Sequence, residues 1–131
     1  MIFLDTSAIY ALADEGDENH EKAKELFELA LSQSQQFFLH NYILIEAGAL
    51  LQRRLGLEQI KQFLKEATRF HTIWIDSSLH KLTEDYFYKN ATRKLSFVDC
   101  TSFVVMRQQG ITEAFAFDDD FQKAGFRLYG K

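Results

Sequence analysis

No proline occurs anywhere in the 131 residues, and no Ser- or Gly-rich run or internal repeat breaks the chain, so nothing in the composition marks a second domain. One domain over residues 1–131 is the expectation. The single cysteine, Cys100, cannot form an internal disulfide, and its setting in Phe97-Val98-Asp99-Cys100 is that of a small buried hydrophobe. It says nothing about compartment. No stretch approaches the roughly eighteen uninterrupted apolar residues of a membrane helix. Met1 leads straight into an apolar run with no basic region or cleavage site, so no signal peptide is expected and cytoplasm is the default. A net charge of −4 argues against a broad basic surface as the main means of holding nucleic acid, but not against a nuclease whose acids are gathered on a cation. Neither G-x-G-x-x-G nor G-x-x-x-x-G-K-[ST] is present, which removes the usual nucleotide-binding loops. His20, His40, His71 and His80 show no paired spacing, so each reads as structural or surface.

What is present is organised around Met1-Ile2-Phe3-Leu4-Asp5-Thr6-Ser7-Ala8. An apolar run too short for a helix ends abruptly in an acid and two hydroxyls, which predicts a buried strand that delivers Asp5 to its carboxyl end. Helix-forming residues 8–13 follow at once, so the chain crosses over rather than turning back, and a parallel sheet results. Helical periodicity recurs at about Asn19–Leu31, from Asn41 as N-cap to Leu55, over Leu57, Ile60, Phe63, Leu64 and Ala67, around Leu79, Leu82 and Tyr86, and at Phe97–Gln109. Short strands are predicted at Phe37–Leu39, Thr72–Ile75 with Trp74 in the core, Glu113–Phe117 and Arg127–Tyr129. Asp118-Asp119-Asp120 then stands at the end of the fourth strand, before one helical turn at Phe121–Ala124. The alternation predicts an α/β sandwich with a central, mostly parallel five-stranded sheet.

Each acid has a capping explanation beside a catalytic one. Ser96-x-x-Asp99 fits a capping box, and Asp5 and Asp118 can each cap the helix that follows. The alternation, however, puts Asp5 and Asp118 at the same sheet edge, Asp99 at a helix start, and Glu46 on the buried face of its helix. At an effective dielectric near 20, two carboxylates about 5 Å apart repel by roughly 3 kcal/mol, so a converging set calls for a cation. Oxygen-only donors favour Mg²⁺ or Mn²⁺ over zinc.

Leu4-Asp5-Thr6-Ser7-Ala8, Asn41 through Glu46 to Ala49, Leu95-Ser96-Phe97-Val98-Asp99-Cys100, and Ala116-Phe117-Asp118-Asp119-Asp120-Phe121 to Gly125-Phe126 together resemble the successive motifs of PIN-domain ribonucleases. The similarity is in particular to the small VapC-type toxins of bacterial and archaeal toxin-antitoxin pairs. It implies a PIN-like α/β/α sandwich and a metal-dependent endoribonuclease in which Asp5, Glu46, Asp99 and Asp118 are the metal-binding acids. Thr6 or Ser7 would support them through hydroxyl or backbone contacts and meet the substrate, and Arg93 and Lys94 read equally as positioners of backbone phosphates and as simple surface charges. It also implies an antitoxin partner and a homodimer, to which the thirteen Phe residues add apolar surface beyond what the core hides. The local acidity at Asp119 and Asp120 departs from the family, where a basic or His residue is common. The alternative reading is a PIN-like module that binds RNA or protein without cleaving. A haloacid-dehalogenase phosphatase would carry a second Asp where this chain has Ser7, and a receiver-like domain would pair two acids early in the chain.

Overall fold

The structure, a computed structural model, describes residues 1–131. Its five strands are β1 (Ile2–Leu4), β2 (Phe37–His40), β3 (His71–Ile73), β4 (Glu113–Phe115) and β5 (Arg127–Leu128). They lie in the order β3-β2-β1-β4-β5, and every neighbouring pair is parallel rather than most of them. Seven helices make the crossovers: α1 (Thr6–Ala13), α2 (His20–Ser32), α3 (Asn41–Leu55), α4 (Leu57–Ala67), α5 (Ser77–Asn90), α6 (Phe97–Gln109) and α7 (Asp120–Lys123). The chain builds outward from β1 through β2 to β3, then returns to the other side of β1 for β4 and β5. The order therefore reverses between β1 and β4, and the crevice outside their carboxyl ends is where an open parallel sheet binds ligands.

Burial on both faces explains the unbroken apolar strands, for Ile2, Phe3, Leu4, Leu39, Ala114 and Phe115 are at most 1% exposed. They belong to one buried cluster of 28 residues. No Phe is among the exposed large hydrophobics, so the expectation that phenylalanines spill onto the surface fails. They pack on one another instead, as Phe103 does edge-on against Phe121 at 5.1 Å and beside Phe126 at 5.7 Å. The apolar side chains left outside include Leu31, Leu57, Leu64 and Trp74, the first three on helices α2 and α4 whose apolar stripes are wider than the face each buries.

Several expectations need correction at element ends. The strand predicted over Thr72–Ile75 runs over His71–Ile73, and Trp74 is 67% exposed rather than core. Strand alternation is the reason: Ile73 and Ile75 point inward and are buried, so the residue between them faces out. His40, not Asn41, caps α3, its Nδ1 accepting from the Ile43 N–H at 3.2 Å. Asn41 begins the helix and turns its Oδ1 to the Ile75 N–H at 2.5 Å, tying the end of β3 to the start of α3. The strand predicted to reach Phe117 stops at Phe115.

Candidate active site

Asp5 follows β1 directly and is 4% exposed. It caps α1: its Oδ2 accepts from the Ser7 N–H at 3.1 Å and from the Ser7 hydroxyl at 2.6 Å. The same hydroxyl accepts from the Phe117 N–H at 3.1 Å, and the Asp5 N–H donates to the Phe115 carbonyl at 3.1 Å. Ser7 thus stitches the end of β4 to the end of β1. Asp118 is carried to the side of Asp5 as a result.

Of the two readings of Asp118, the capping one does not hold, for the cap position of α7 belongs to Asp119, whose side chain makes no cap bond. Asp118 instead accepts from the Asp120 N–H at 3.1 Å, closing a tight Asx turn. Asp119 turns outward to the Lys123 ammonium at 3.2 Å. Of the three successive acids, Asp119 is the one neutralised outside the cleft.

Asp99 stands in the first turn of α6, whose cap is Ser96, its Oγ accepting from the Asp99 N–H at 3.0 Å. Capping therefore uses the backbone of Asp99 and leaves its carboxylate for other work. Glu46 departs from expectation, being exposed rather than on the buried face. The inward stripe of α3 is Ile43, Ala47, Gly48 and Leu51, so Glu46 lies roughly a third of a turn from its middle. The Thr6 hydroxyl donates to its Oε1 at 2.6 Å and aims it at the cleft.

Burial and mutual repulsion raise the proton affinity of the acids. Burial pushes the Asp5 carboxyl up to about 7, the Ser7 bonds oppose the rise, and the charges of Asp118 and Asp99 add to it. Burial likewise pushes Asp99 up to about 6, against the Ser96 hydroxyl and with the charges of Asp118, Asp120 and Glu46. Asp118 is raised by burial and by Asp120 and Asp119. Asp5, Asp99 and Asp118 therefore sense one another's charge at this sheet edge, and Asp99 senses Glu46 and Asp120 as well. No three acidic, His or Cys side chains stand as a closed ligand cage, and repulsion among like charges acts in that direction. The donor set, oxygen-only and short of charge compensation, suits a hard divalent cation.

Two of the remaining residues singled out by sequence, Arg93 and Lys94, are exposed on the loop before α6 and make no ion pair. Neither offsets the charge of Asp5, Asp99 or Asp118. The hydroxyls of Thr6 and Ser7 are engaged by Glu46 and Asp5. Burial pushes the Cys100 thiol up to about 11, which suits packing and not attack.

His40, read from the sequence as structural or surface, is structural, and its part in holding the site was not visible there. It is fully buried, and burial pushes it down to about 3, so the ring is neutral. With Nδ1 accepting from Ile43, the proton sits on Nε2 and is donated to the Ser102 hydroxyl at 2.9 Å, which in turn donates to the Val98 carbonyl at 3.1 Å. This chain pins the first turn of α6, which bears Asp99, to the start of α3, which bears Glu46. The only signal in the sequence was its place at a strand end, one residue before a helix.

Residues 2–127 match the PIN domain family. The chain belongs to the PIN-domain family. It is 38% identical over 130 residues to the 23S rRNA-specific endonuclease VapC20 from two strains of Mycobacterium tuberculosis, covering 96% of this chain and 95% of VapC20. The crystal structure of VapC20 from that organism, described as a Sarcin-Ricin loop cleaving toxin, superposes with a TM-score of 0.84 at 35% identity over 96% of each chain. FitAcB from Neisseria gonorrhoeae shares the PIN fold at a TM-score of 0.61 and 13% identity, over 99% of this chain and 97% of that one.

The raised carboxyls predict a pH dependence of stability in chelated protein. Between about 4 and about 7, folded Asp5 keeps a proton that the unfolded chain gives up, so stability falls as pH rises through that window and the full contribution is present below it. For Asp5 the span corresponds to at most about 4 kcal/mol. Thermal melts in EDTA should therefore be higher at pH 5 than at pH 8, and the reverse order would contradict the buried, mutually repelling arrangement.

Proposed function

We propose that this PIN-domain chain is a metal-dependent endoribonuclease that hydrolyses RNA phosphodiester bonds as the toxin of a toxin-antitoxin pair. The observation that carries the reading is the set of carboxylates raised by burial and by one another in the β1/β4 crevice, in a chain 38% identical to an rRNA endonuclease.

Asp5, Glu46, Asp99 and Asp118 would hold a Mg²⁺ or Mn²⁺ ion. When bound, the cation supplies Lewis acidity at the phosphoryl group and a water nucleophile at neutral pH. The protein's own contribution is placement. Ser7 fixes Asp5 and the β4 end together, Thr6 aims Glu46, and the His40–Ser102–Val98 chain holds the helices that carry Glu46 and Asp99. Helices α1, α3, α5 and α7 all begin just beyond strand ends at this edge, so their positive N-terminal dipoles face an approaching phosphate. That field, with Arg93 and Lys94 on the nearby loop, lets a chain of net charge −4 receive a polyanion.

A small antitoxin and a homodimer go with the same reading. Exposed Leu31, Leu57 and Leu64 supply apolar surface for a protein partner. A cavity of about 350 Å³ lined by Leu12, Phe27, Phe63 and Phe70 adds apolar surface among α1, α2 and α4. No helix is long and apolar enough to cross a membrane, and action on RNA in the cytoplasm is consistent with that.

Purified protein is expected to cleave RNA in Mg²⁺ or Mn²⁺ and to lose at least about a hundredfold in rate on chelation. Cleavage undiminished in EDTA would remove the metal. Binding of RNA without cleavage under any divalent ion would favour the non-cleaving PIN-like module.

A further inference from the structure

We propose that Trp74 is the stacking platform for an unpaired base of the RNA, placed so that the strand crosses the sheet edge from Trp74 toward the acids. The inference rests on the ribonuclease reading and adds a substrate subsite to it.

Trp74 is the only tryptophan in the chain and is 67% exposed. Leaving so large an aromatic in water forgoes more apolar burial than almost any other side chain. It directly follows β3 and therefore stands at the carboxyl edge, the edge that carries Asp5 and Asp118. Two strand spacings, about 10 Å, separate β3 from β1, a reach of a nucleotide or two.

The ring is also held on a fixed mount. Ile73 and Ile75 are buried on either side, and the Ile75 N–H is held by the Asn41 Oδ1 at 2.5 Å. One turn beyond Asn41 on the same face of α3 is Ile45, 74% exposed and next in sequence to Glu46. This junction between the end of β3 and the helix that carries Glu46 thus bears two exposed apolar side chains, Trp74 and Ile45. Its chemistry suits the flat face of a base and the apolar side of a ribose.

Charge favours a base as the occupant. With net charge −4, this chain gains less from phosphate neutralisation than a basic nuclease does, whereas stacking on an aromatic face needs no basic side chain. A second copy of the chain is the rival occupant. The exposed parts of Trp74 and Ile45 together offer about 300 Å², against roughly 800 Å² per partner in a standard interface. A stacked base needs no more than they offer.

Because Trp74 is the sole tryptophan, its fluorescence reports on this position alone. In EDTA, parent protein is titrated with a hairpin RNA bearing an unpaired purine loop and with a fully paired duplex of equal phosphate count. The hairpin should quench the emission and the duplex should not. In Mg²⁺, Trp74→Ala should raise KM for the hairpin by about 5- to 150-fold, the loss of one base stack, while Trp74→Phe stays near the parent. Thermal melts of both variants should match the parent, since the side chain is exposed. An unchanged KM in Trp74→Ala, or absence of quenching, overturns the subsite while leaving the ribonuclease reading intact. A drop in solution mass in Trp74→Ala, measured by sedimentation against the parent, assigns the surface to self-association and likewise overturns it. Parent protein that cleaves no RNA strikes the ribonuclease reading itself, and the subsite falls with it.

Discussion

Asp99→Asn is expected to slow RNA cleavage by about a hundredfold to ten-thousandfold while leaving the metal-free protein as stable as the parent or more so. The first half follows from its surroundings: Asp99 feels the charges of Asp118, Asp120 and Glu46, so the amide removes one of the charges that would hold a cation. The second half separates catalysis from capping. Were Asp99 only a helix cap, losing its carboxylate would cost about 0.5 to 2 kcal/mol with or without metal. Ser96 already accepts from the Asp99 N–H at 3.0 Å, so the cap survives the substitution, and what is lost is repulsion at a carboxyl that burial has pushed up to about 6. In saturating Mg²⁺ the parent should gain stability by binding the ion in its folded state, about 2.7 kcal/mol at a hundred times the dissociation constant. The variant should gain little. Melts of parent and variant, each with and without Mg²⁺, beside a cleavage assay, decide the matter. A variant that still cleaves and is destabilised equally in both conditions returns Asp99 to capping.

Phe103→Ala should produce the largest loss of stability, about 3 to 5 kcal/mol out of a total on the order of 5 to 15. Phe103 is 1% exposed, in the middle of α6, and its ring meets Phe121 edge-on at 5.1 Å, Phe126 at 5.7 Å and Tyr86 at 6.3 Å. Phe121 is in α7, immediately after the three successive acids. The cavity left by truncation therefore opens between the helix that carries Asp99 and the turn that carries Asp118. Cleavage should fall with stability because both acids lose their backing. Urea denaturation measures the first effect, with the exposed Tyr88→Ala as a control expected within about 0.5 kcal/mol of the parent. A loss below about 1 kcal/mol for Phe103→Ala would mean that the aromatic cluster is not the support described.

The alternation of short apolar runs with amphipathic segments was enough to derive a parallel sheet, because a strand followed at once by a helix has no way to pair antiparallel with its successor. Asp5 and Asp118 were legible as edge residues for the same reason: the acid comes where the apolar run stops. The α6 limits, Phe97–Gln109, were legible too, since Ser96 and Gly110 are a cap and a left-handed stop at its two ends. Ambiguity remained wherever a residue had two neighbours of opposite kind. Trp74 between two isoleucines read as core, yet alternation at the strand end turns it outward. Glu46 among apolar residues read as buried, yet the helical angle carries it to the flank.

Some features were decided only in three dimensions. The sequence does not tell which of Asp118, Asp119 and Asp120 faces the cleft. The tertiary structure places Lys123 beside Asp119 and leaves Asp118 and Asp120 toward Asp99. Nor does it tell that Ser7 ties together backbone 110 residues apart, or that a neutral His40 links two helices through Ser102 across 62 residues. Periodicity is a property of neighbours along the chain and determines which face of an element is apolar. The charge state of a carboxyl depends on what lies within a few ångströms through space, and for Asp5, Asp99 and Asp118 those groups come from elements that only the folded sheet brings together.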